Sequence, residues 1–91
     1  MGHDVVYWRN HNLCGPVIRF LARTPHDSQL EACLVDALNS KVGIIYDSCR
    51  ALEASGYVQM TMNRIEGMDR TQRCYKITMP KGIALARLLD T

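Results

Sequence analysis

The densest group of cationic side chains in the sequence lies within residues 64–76. It consists of Arg64, Arg70, Arg73 and Lys76, set against Glu66 and Asp69. Guanidinium and ammonium groups hold phosphates through charge-assisted hydrogen bonds, so this stretch is suited to a polyanion. The net charge of the whole chain is only +2, and residues 39–91 carry eight Lys and Arg against five Asp and Glu. This bias permits a polyanionic partner without requiring one, because solvated surface charges are common.

Side chains that catalyse reactions or hold metals are scattered along the chain. The three histidines form no set with serine and aspartate, and neither paired carboxylates nor a phosphate-binding glycine loop is visible. The four cysteines include no C-x-x-C pair, and His3 and His11 with Cys14 lack a further metal ligand. We therefore expect no enzymatic activity, no cofactor and reduced cysteines packed as small apolar side chains.

The composition is that of a globular domain. The chain has 91 residues, of which 47% are hydrophobic, too many for a disordered protein. No apolar run approaches the ~18 residues of a transmembrane span, and the first residues lack the basic start and apolar block of a signal peptide. We expect a single domain in a reducing, cytoplasmic location.

The elements that must position the charged groups begin with helices. Residues 4–12 fit either a strand or a short amphipathic helix. Gly15-Pro16 opens a helix that ends before Pro25 and places Val17, Phe20 and Leu21 on one face. The motif "SQLE" at 28–31 matches a capping box and predicts a second helix over about 28–38. Its buried stripe is predicted to be Leu30, Cys33, Leu34 and Ala37.

A third helix is predicted over about 40–55. Asn39 suits the end of the second helix, and Ser40 suits the N-cap of the third. Gly56 stops this helix, because glycine adopts the left-handed conformation at low cost. The apolar face is predicted to be Val42, Ile45, Cys49 and Leu52.

A β-hairpin and a last helix complete the order of elements. The first strand alternates through Val58, Met60 and Met62, a polar loop centres on Gly67, and the second strand alternates through Arg73, Tyr75 and Ile77. A helix then starts near Pro80 and offers Ile83, Leu85, Leu88 and Leu89 for packing. Helices two and three, joined by a two-residue break, have a helix-turn-helix layout.

As a set, these features resemble the winged helix-turn-helix transcription regulators of the broad MarR, PadR and ArsR kind. The resemblance rests on "IIYDSCRALEASGYV" at 44–58, "NRIEGMDRTQRCYKIT" at 63–78 and "TMPKG" at 78–82, and it covers about residues 13–90. One departure is the spacing from Thr78 to Gly82, which has three intervening residues where two are usual. The resemblance implies an α+β fold of three helices, a hairpin wing and a C-terminal helix, preceded by residues 1–12 as a dimerising or disordered segment.

The resemblance also implies double-stranded DNA as the partner. The third helix would enter the major groove, where Arg50 suits guanine, Asp47 suits cytosine and Ile44 suits a thymine methyl group. Ser40 and the helix N-terminus would hold a phosphate, and Arg70 at the wing tip would contact a minor groove or phosphates. The implied DNA-binding residues are Ser40, Lys41, Gly43, Ile44, Tyr46, Asp47, Arg50, Arg64, Arg70, Thr71 and Arg73.

In such regulators terminal segments often form a dimer, so the "VVYW" stretch at 5–8 and the last helix are candidates for a homodimer contact. The resulting prediction is a dimeric, nucleoid-associated transcription regulator. Two alternatives stay open. Ile44, Tyr46 and Asp47 would also suit a winged-helix module that binds protein instead of DNA. A phage or plasmid protein that binds DNA for partition or replication would share the same chemistry.

Overall fold

A computed structural model describes residues 2–64, 67 and 70–90, with side chains from residue 5 onward. The helices are α1 (Gly2–Asn10), α2 (Cys14–Ala22), α3 (Glu31–Ala37), α4 (Val42–Ala54) and α5 (Lys81–Leu89). The strands are β1 (Gln29–Leu30), β2 (Val58–Arg64) and β3 (Thr71–Ile77). The predicted α+β class and the order of helices, hairpin and last helix are therefore confirmed.

The sheet has three antiparallel strands in the order β1-β3-β2. β2 and β3 pair along their whole length, from Val58 opposite Ile77 to Arg64 opposite Thr71. The short strand β1 pairs Gln29 with Tyr75 on the other edge of β3. This third strand was not predicted, because two residues are too few for an alternating pattern to show.

The core lies between the helices and one face of the sheet. Its fully buried residues come from α2, α3 and α4 and from the end of the hairpin nearest the helices, namely Cys14, Val17, Ile18, Leu21, Leu34, Ile45, Cys49, Leu52, Val58, Tyr75 and Ile77. α5 contributes Leu85, Ala86 and Leu89, whereas Leu88 is 52% exposed. α1 joins this core through Trp8, whose ring meets Tyr57 edge-on at 5.4 Å.

The predicted capping box at the start of α3 is wrong. Gln29 and Leu30 extend as a strand, so the helix begins at Glu31 without a side-chain cap. The side chain of Glu31 is buried instead, and Arg73 of β3 neutralises its charge. Glu31 and Leu34 are the buried residues of α3, with Val35 and Leu38 half-buried beside them. The predicted stripe therefore fails at Cys33 and Ala37, which are exposed.

The turn between α3 and α4 has the predicted left-handed residue but not the predicted cap. Asn39 has φ of +49°, and the N–H of Ser40 donates to the carbonyl of Val35. Ser40 is not the N-cap of α4, since the helix begins one residue later and Lys41 occupies the cap position without a side-chain bond. Gly56, with φ of +83°, ends α4 as predicted.

Gly82, the second residue of α5, is packed too closely for any side chain. A Cβ at this position would collide with the carbonyl oxygen of Tyr57 and with the side chain of Ile77. The N–H of Gly82 donates to Oγ1 of Thr78, which itself donates to the carbonyl of Gly56. These two bonds connect the end of α4 to the start of α5 through Thr78, the residue that follows the hairpin.

Candidate nucleic-acid interface

The exposed face of α4 carries the polar residues that the sequence assigned to recognition. Gly43, Asp47 and Arg50 are exposed and follow one another at helical spacing, opposite the buried Ile45, Cys49 and Leu52. Arg50 lies 4.0 Å from Glu53, measured from Nε to Oε1, and its side chain is 58% exposed. One helix therefore presents a cation and a carboxylate to solvent side by side.

Apolar residues flank this face. Ile44 is 40% exposed, as expected for a residue outside the core. Val42, which was predicted to be buried, is 54% exposed because it occupies the first turn of α4, beyond the packed part of the helix. Further along α4, Ser48 is fully buried beside Ile45, Cys49 and Leu52.

Ser48 is a residue that the hydrophobic pattern did not reveal. Its hydroxyl donates to the carbonyl of Ile44 at 2.8 Å and accepts the N–H of Leu13 at 3.0 Å. Leu13 is the residue before α2, so Ser48 satisfies a backbone donor at the start of that helix. This bond ties the orientation of α4 to α2.

The wing carries its arginines on both strands. Arg64 ends β2 opposite Thr71, the first residue of β3, and both are exposed. Arg70 immediately precedes β3 and is also exposed. A groove of about 420 Å³ separates the wing from α3 and α4, with Val42, Met62 and Arg70 among its lining residues. Glu66 and Asp69, predicted to oppose the wing cations, lie outside the described residues.

Arg73 points away from the wing tip and forms a two-pronged ion pair with Glu31 of α3. Its Nε donates to Oε2 at 2.8 Å and its Nη2 donates to Oε1 at 2.9 Å. Tyr75 donates to the same Oε2 at 2.7 Å. The predicted phosphate contact by Arg73 must therefore compete with a short, charge-assisted pair that is already formed.

The pKa values in this cluster follow from burial and charge. Burial acts to raise the pKa of Glu31, but the hydrogen bonds from Arg73 and Tyr75 outweigh it and lower that pKa below its ordinary value. The bond to Glu31 raises the pKa of Arg73, and burial together with Glu31 raises that of Tyr75. The cluster therefore holds one negative and one positive charge at neutral pH.

Tyr46 connects this cluster to the exposed face of α4. The guanidinium carbon of Arg73 lies 4.5 Å from the centroid of the Tyr46 ring, a cation–π contact. The hydroxyl of Tyr46 accepts a hydrogen bond from Nη1 of Arg50 at 3.1 Å. A continuous chain of contacts thus runs from Glu31 through Arg73 and Tyr46 to Arg50.

Cys33 is exposed, contrary to the expectation that the cysteines pack as small apolar side chains, whereas burial keeps the other three as thiols. Cys14, Cys49 and Cys74 are buried, and burial raises the pKa of each, that of Cys14 to about 11. Arg73 precedes Cys74 in β3, but neighbouring residues of a strand face opposite sides of the sheet. Within residues 2–64, 67 and 70–90, no disulfide and no group of three metal-ligating side chains occurs.

A second surface combines the first and last helices. Arg9 of α1 donates to the carbonyls of Leu88 and Leu89 at the end of α5, at 3.5 and 3.4 Å. Val6 is 58% exposed, Tyr7 50% and Leu88 52%. Within the two segments that were predicted as dimer candidates, Trp8 of the "VVYW" stretch and Leu85 and Leu89 of the last helix belong instead to the monomer core. Among the described helices, none is long and apolar enough to cross a membrane.

No protein-family model matches the chain, and no curated protein sequence does. Solved structures do match. A mutant of MepR from a multidrug-resistant S. aureus isolate superposes with a TM-score of 0.70 at 16% identity, over 88% of this chain and 55% of that one. A transcriptional regulator homologue from Pyrococcus horikoshii gives 0.71 at 18% identity, over 97% and 85%. Pex from Synechococcus gives 0.65 at 17% identity, over 99% and 95%.

These likenesses confirm the winged helix-turn-helix fold that the resemblance predicted, with α3 and α4 as the helix-turn-helix and β2–β3 as the wing. This chain spans about half of the length of MepR. At such identities the likeness concerns the fold alone.

Proposed function

We propose that this protein binds double-stranded DNA as a transcription regulator. The observation that carries the proposal is the exposed row of Gly43, Asp47 and Arg50 on α4, beside exposed wing arginines in a winged helix-turn-helix fold. α4 fits a major groove, and the side chains of the row present one donor group and one acceptor group to base edges. The similar structure from Pyrococcus horikoshii is described as a transcriptional regulator homologue, which supports the same assignment.

The proposed contacts divide into two kinds. Arg50, Asp47 and Ile44 read bases, through guanine, cytosine and thymine methyl groups respectively. Ser40 and Lys41, at the entry to α4, and Arg64, Arg70 and Thr71 of the wing hold the sugar-phosphate backbone or reach into a minor groove. The first kind sets sequence preference, and the second sets affinity and its dependence on salt.

We also propose a homodimer through α1 and α5. Val6, Tyr7 and Leu88 expose apolar surface on two helices that Arg9 joins. A two-fold axis at this surface would place two α4 helices on one duplex, about one DNA turn apart.

The deciding experiment is selection from a random duplex library at low salt and at about 0.15 M ionic strength, with sequencing of the retained DNA. Enrichment of a palindromic motif would support a dimeric regulator that reads sequence. Retention without a motif would favour the partition or architectural alternative. No retention at low salt would overturn DNA binding, because phosphate contacts are strongest there.

A protein-interaction module is the second candidate, and the exposed Val42, Ile44 and Met62 around the groove favour it. Charged Val42→Lys and Ile44→Lys variants separate the two. An added cation at this surface strengthens non-specific DNA retention, whereas it weakens an apolar protein contact.

A further inference from the structure

We propose that Arg73 and Tyr46 are positioning residues that aim Arg50 at the DNA bases, so that the sheet of the wing determines how α4 reads sequence. This inference rests on the proposed DNA-binding function. In this proposal Arg73 does not contact a phosphate, as was expected from the sequence, but restrains the side chain of Tyr46.

The chain of contacts that positions Arg50 begins with Glu31, which is only 8% exposed. A carboxylate buried to this degree requires a partner, and Arg73 provides two parallel hydrogen bonds while Tyr75 provides a third. The planar guanidinium is therefore fixed in position and in orientation. Lysine would supply the charge without the fork.

The fixed guanidinium then restrains Tyr46. Its carbon lies 4.5 Å from the ring centroid, so the ring of a half-buried residue on α4 rests on a cation from β3. Tyr46 cannot turn freely without losing this contact. Its hydroxyl is consequently held at one place on the edge of the exposed face.

The hydroxyl in turn orients Arg50. Arg50 is a long, exposed side chain whose Nε lies 4.0 Å from Glu53, and such pairs near the surface contribute little. Its guanidinium carbon also lies 5.8 Å from the centroid of the Tyr46 ring. The 3.1 Å hydrogen bond to the hydroxyl of Tyr46 selects one direction for the guanidinium before DNA arrives. Preorganisation of this kind improves binding by reducing the ordering cost of a flexible side chain.

The sharpest test is Tyr46→Phe, because it removes only the hydroxyl and leaves the ring on Arg73. The probes are the duplex most enriched from the random library and a scrambled duplex of the same length and composition. We expect discrimination between them to fall about 3- to 10-fold, the range of one net hydrogen bond, with affinity for the scrambled duplex unchanged. In an Arg50→Ala background, Tyr46→Phe should have no further effect, since the two residues then act as one unit.

Arg73→Lys is the second variant. It keeps the positive charge but loses the fork and the stacking plane, so discrimination should fall while the salt dependence stays unchanged. A thermal melt of each variant distinguishes a loss of folded protein from a loss of discrimination between the two duplexes.

Other results would overturn the inference. Additive losses in the double variant would show that Tyr46 acts independently of Arg50. Equal losses on both duplexes would make Tyr46 a phosphate contact, and equal losses of Arg73→Lys on both duplexes would do the same for Arg73. A wild-type protein that binds both duplexes equally would refute the inference alone, whereas one that binds neither would refute the proposed function as well.

Discussion

Arg73 of the wing strand and Glu31 of the first helix-turn-helix helix meet through two hydrogen bonds of 2.8 and 2.9 Å. They are 42 residues apart in the chain. The pair joins the wing, which is proposed to contact DNA, to α3, and it places a carboxylate at a buried position of that helix. Its consequences can be tested without any DNA.

Glu31→Gln should destabilise the fold by about 1–3 kcal/mol at pH 7, because Arg73 and Tyr75 would lose their charged acceptor. The pKa of Glu31 is lowered from 4.5 in the folded state. Its contribution is therefore fully present above the unfolded pKa and is lost as the pH falls through the folded pKa. Urea unfolding from pH 7 downward should show the difference between wild type and variant shrinking below about pH 4.5. Glu53→Gln, which removes an exposed partner, is the control, and a constant difference would contradict the assignment.

Arg70→Ala should weaken binding to all duplexes by a similar factor. If Arg70 holds a phosphate, the plot of log affinity against log salt should become shallower by about one unit. Fluorescence anisotropy with a scrambled duplex over a range of salt concentrations measures this slope. Arg87→Ala removes an exposed arginine from α5 and should leave the slope unchanged. Identical slopes for wild type and Arg70→Ala would remove the wing tip from the interface.

Arg50→Ala should reduce discrimination between sites by about 1–3 kcal/mol, the usual value of a bidentate base contact. Affinity for random duplexes should change little. Competition of the enriched duplex against the scrambled one provides the measurement. A uniform loss on both would instead identify Arg50 as a phosphate contact.

Gly43→Ala should separate stability from binding. A Cβ at this exposed position in the first turn of α4 meets nothing within 4 Å, so alanine should stabilise the helix by about 0.5–1 kcal/mol. The same methyl group would occupy space into which a base edge or phosphate must approach. We expect a higher melting temperature together with weaker DNA binding, and unchanged binding would place the start of α4 away from DNA.

Val6→Lys combined with Leu88→Lys should prevent the proposed dimer. The two substitutions place charges on exposed apolar positions of α1 and α5, where a stable interface must bury about 800 Å² from each partner. Sedimentation should find the wild type dimeric and the double variant monomeric, with unchanged helix content. A monomeric wild type at micromolar concentration would refute this dimer.

The sequence by itself determined the order of α2 to α5 and of the two hairpin strands, together with most of the main core residues. Helical spacing identified Ile45, Cys49 and Leu52, and strand alternation identified Tyr75 and Ile77, because both periods follow from backbone geometry alone. Gly56 was readable for the same local reason, since its left-handed conformation disfavours other residues. The exposure of Asp47 and Arg50 followed directly from the phase of the helix.

Tertiary structure decided what depends on partners distant in sequence. Local spacing predicts a capping role for Glu31, but its partner Arg73 lies 42 residues away, and no local pattern reports such a pair. Hydrophobic spacing gives no sign that Ser48 is buried, yet its hydroxyl accepts the backbone N–H of a residue 35 positions earlier. Arg73 looked like any other wing cation until the sheet brought it to Glu31 and Tyr46. A polar group can be buried only where another chain segment completes its hydrogen bonds, and only the folded chain specifies that segment.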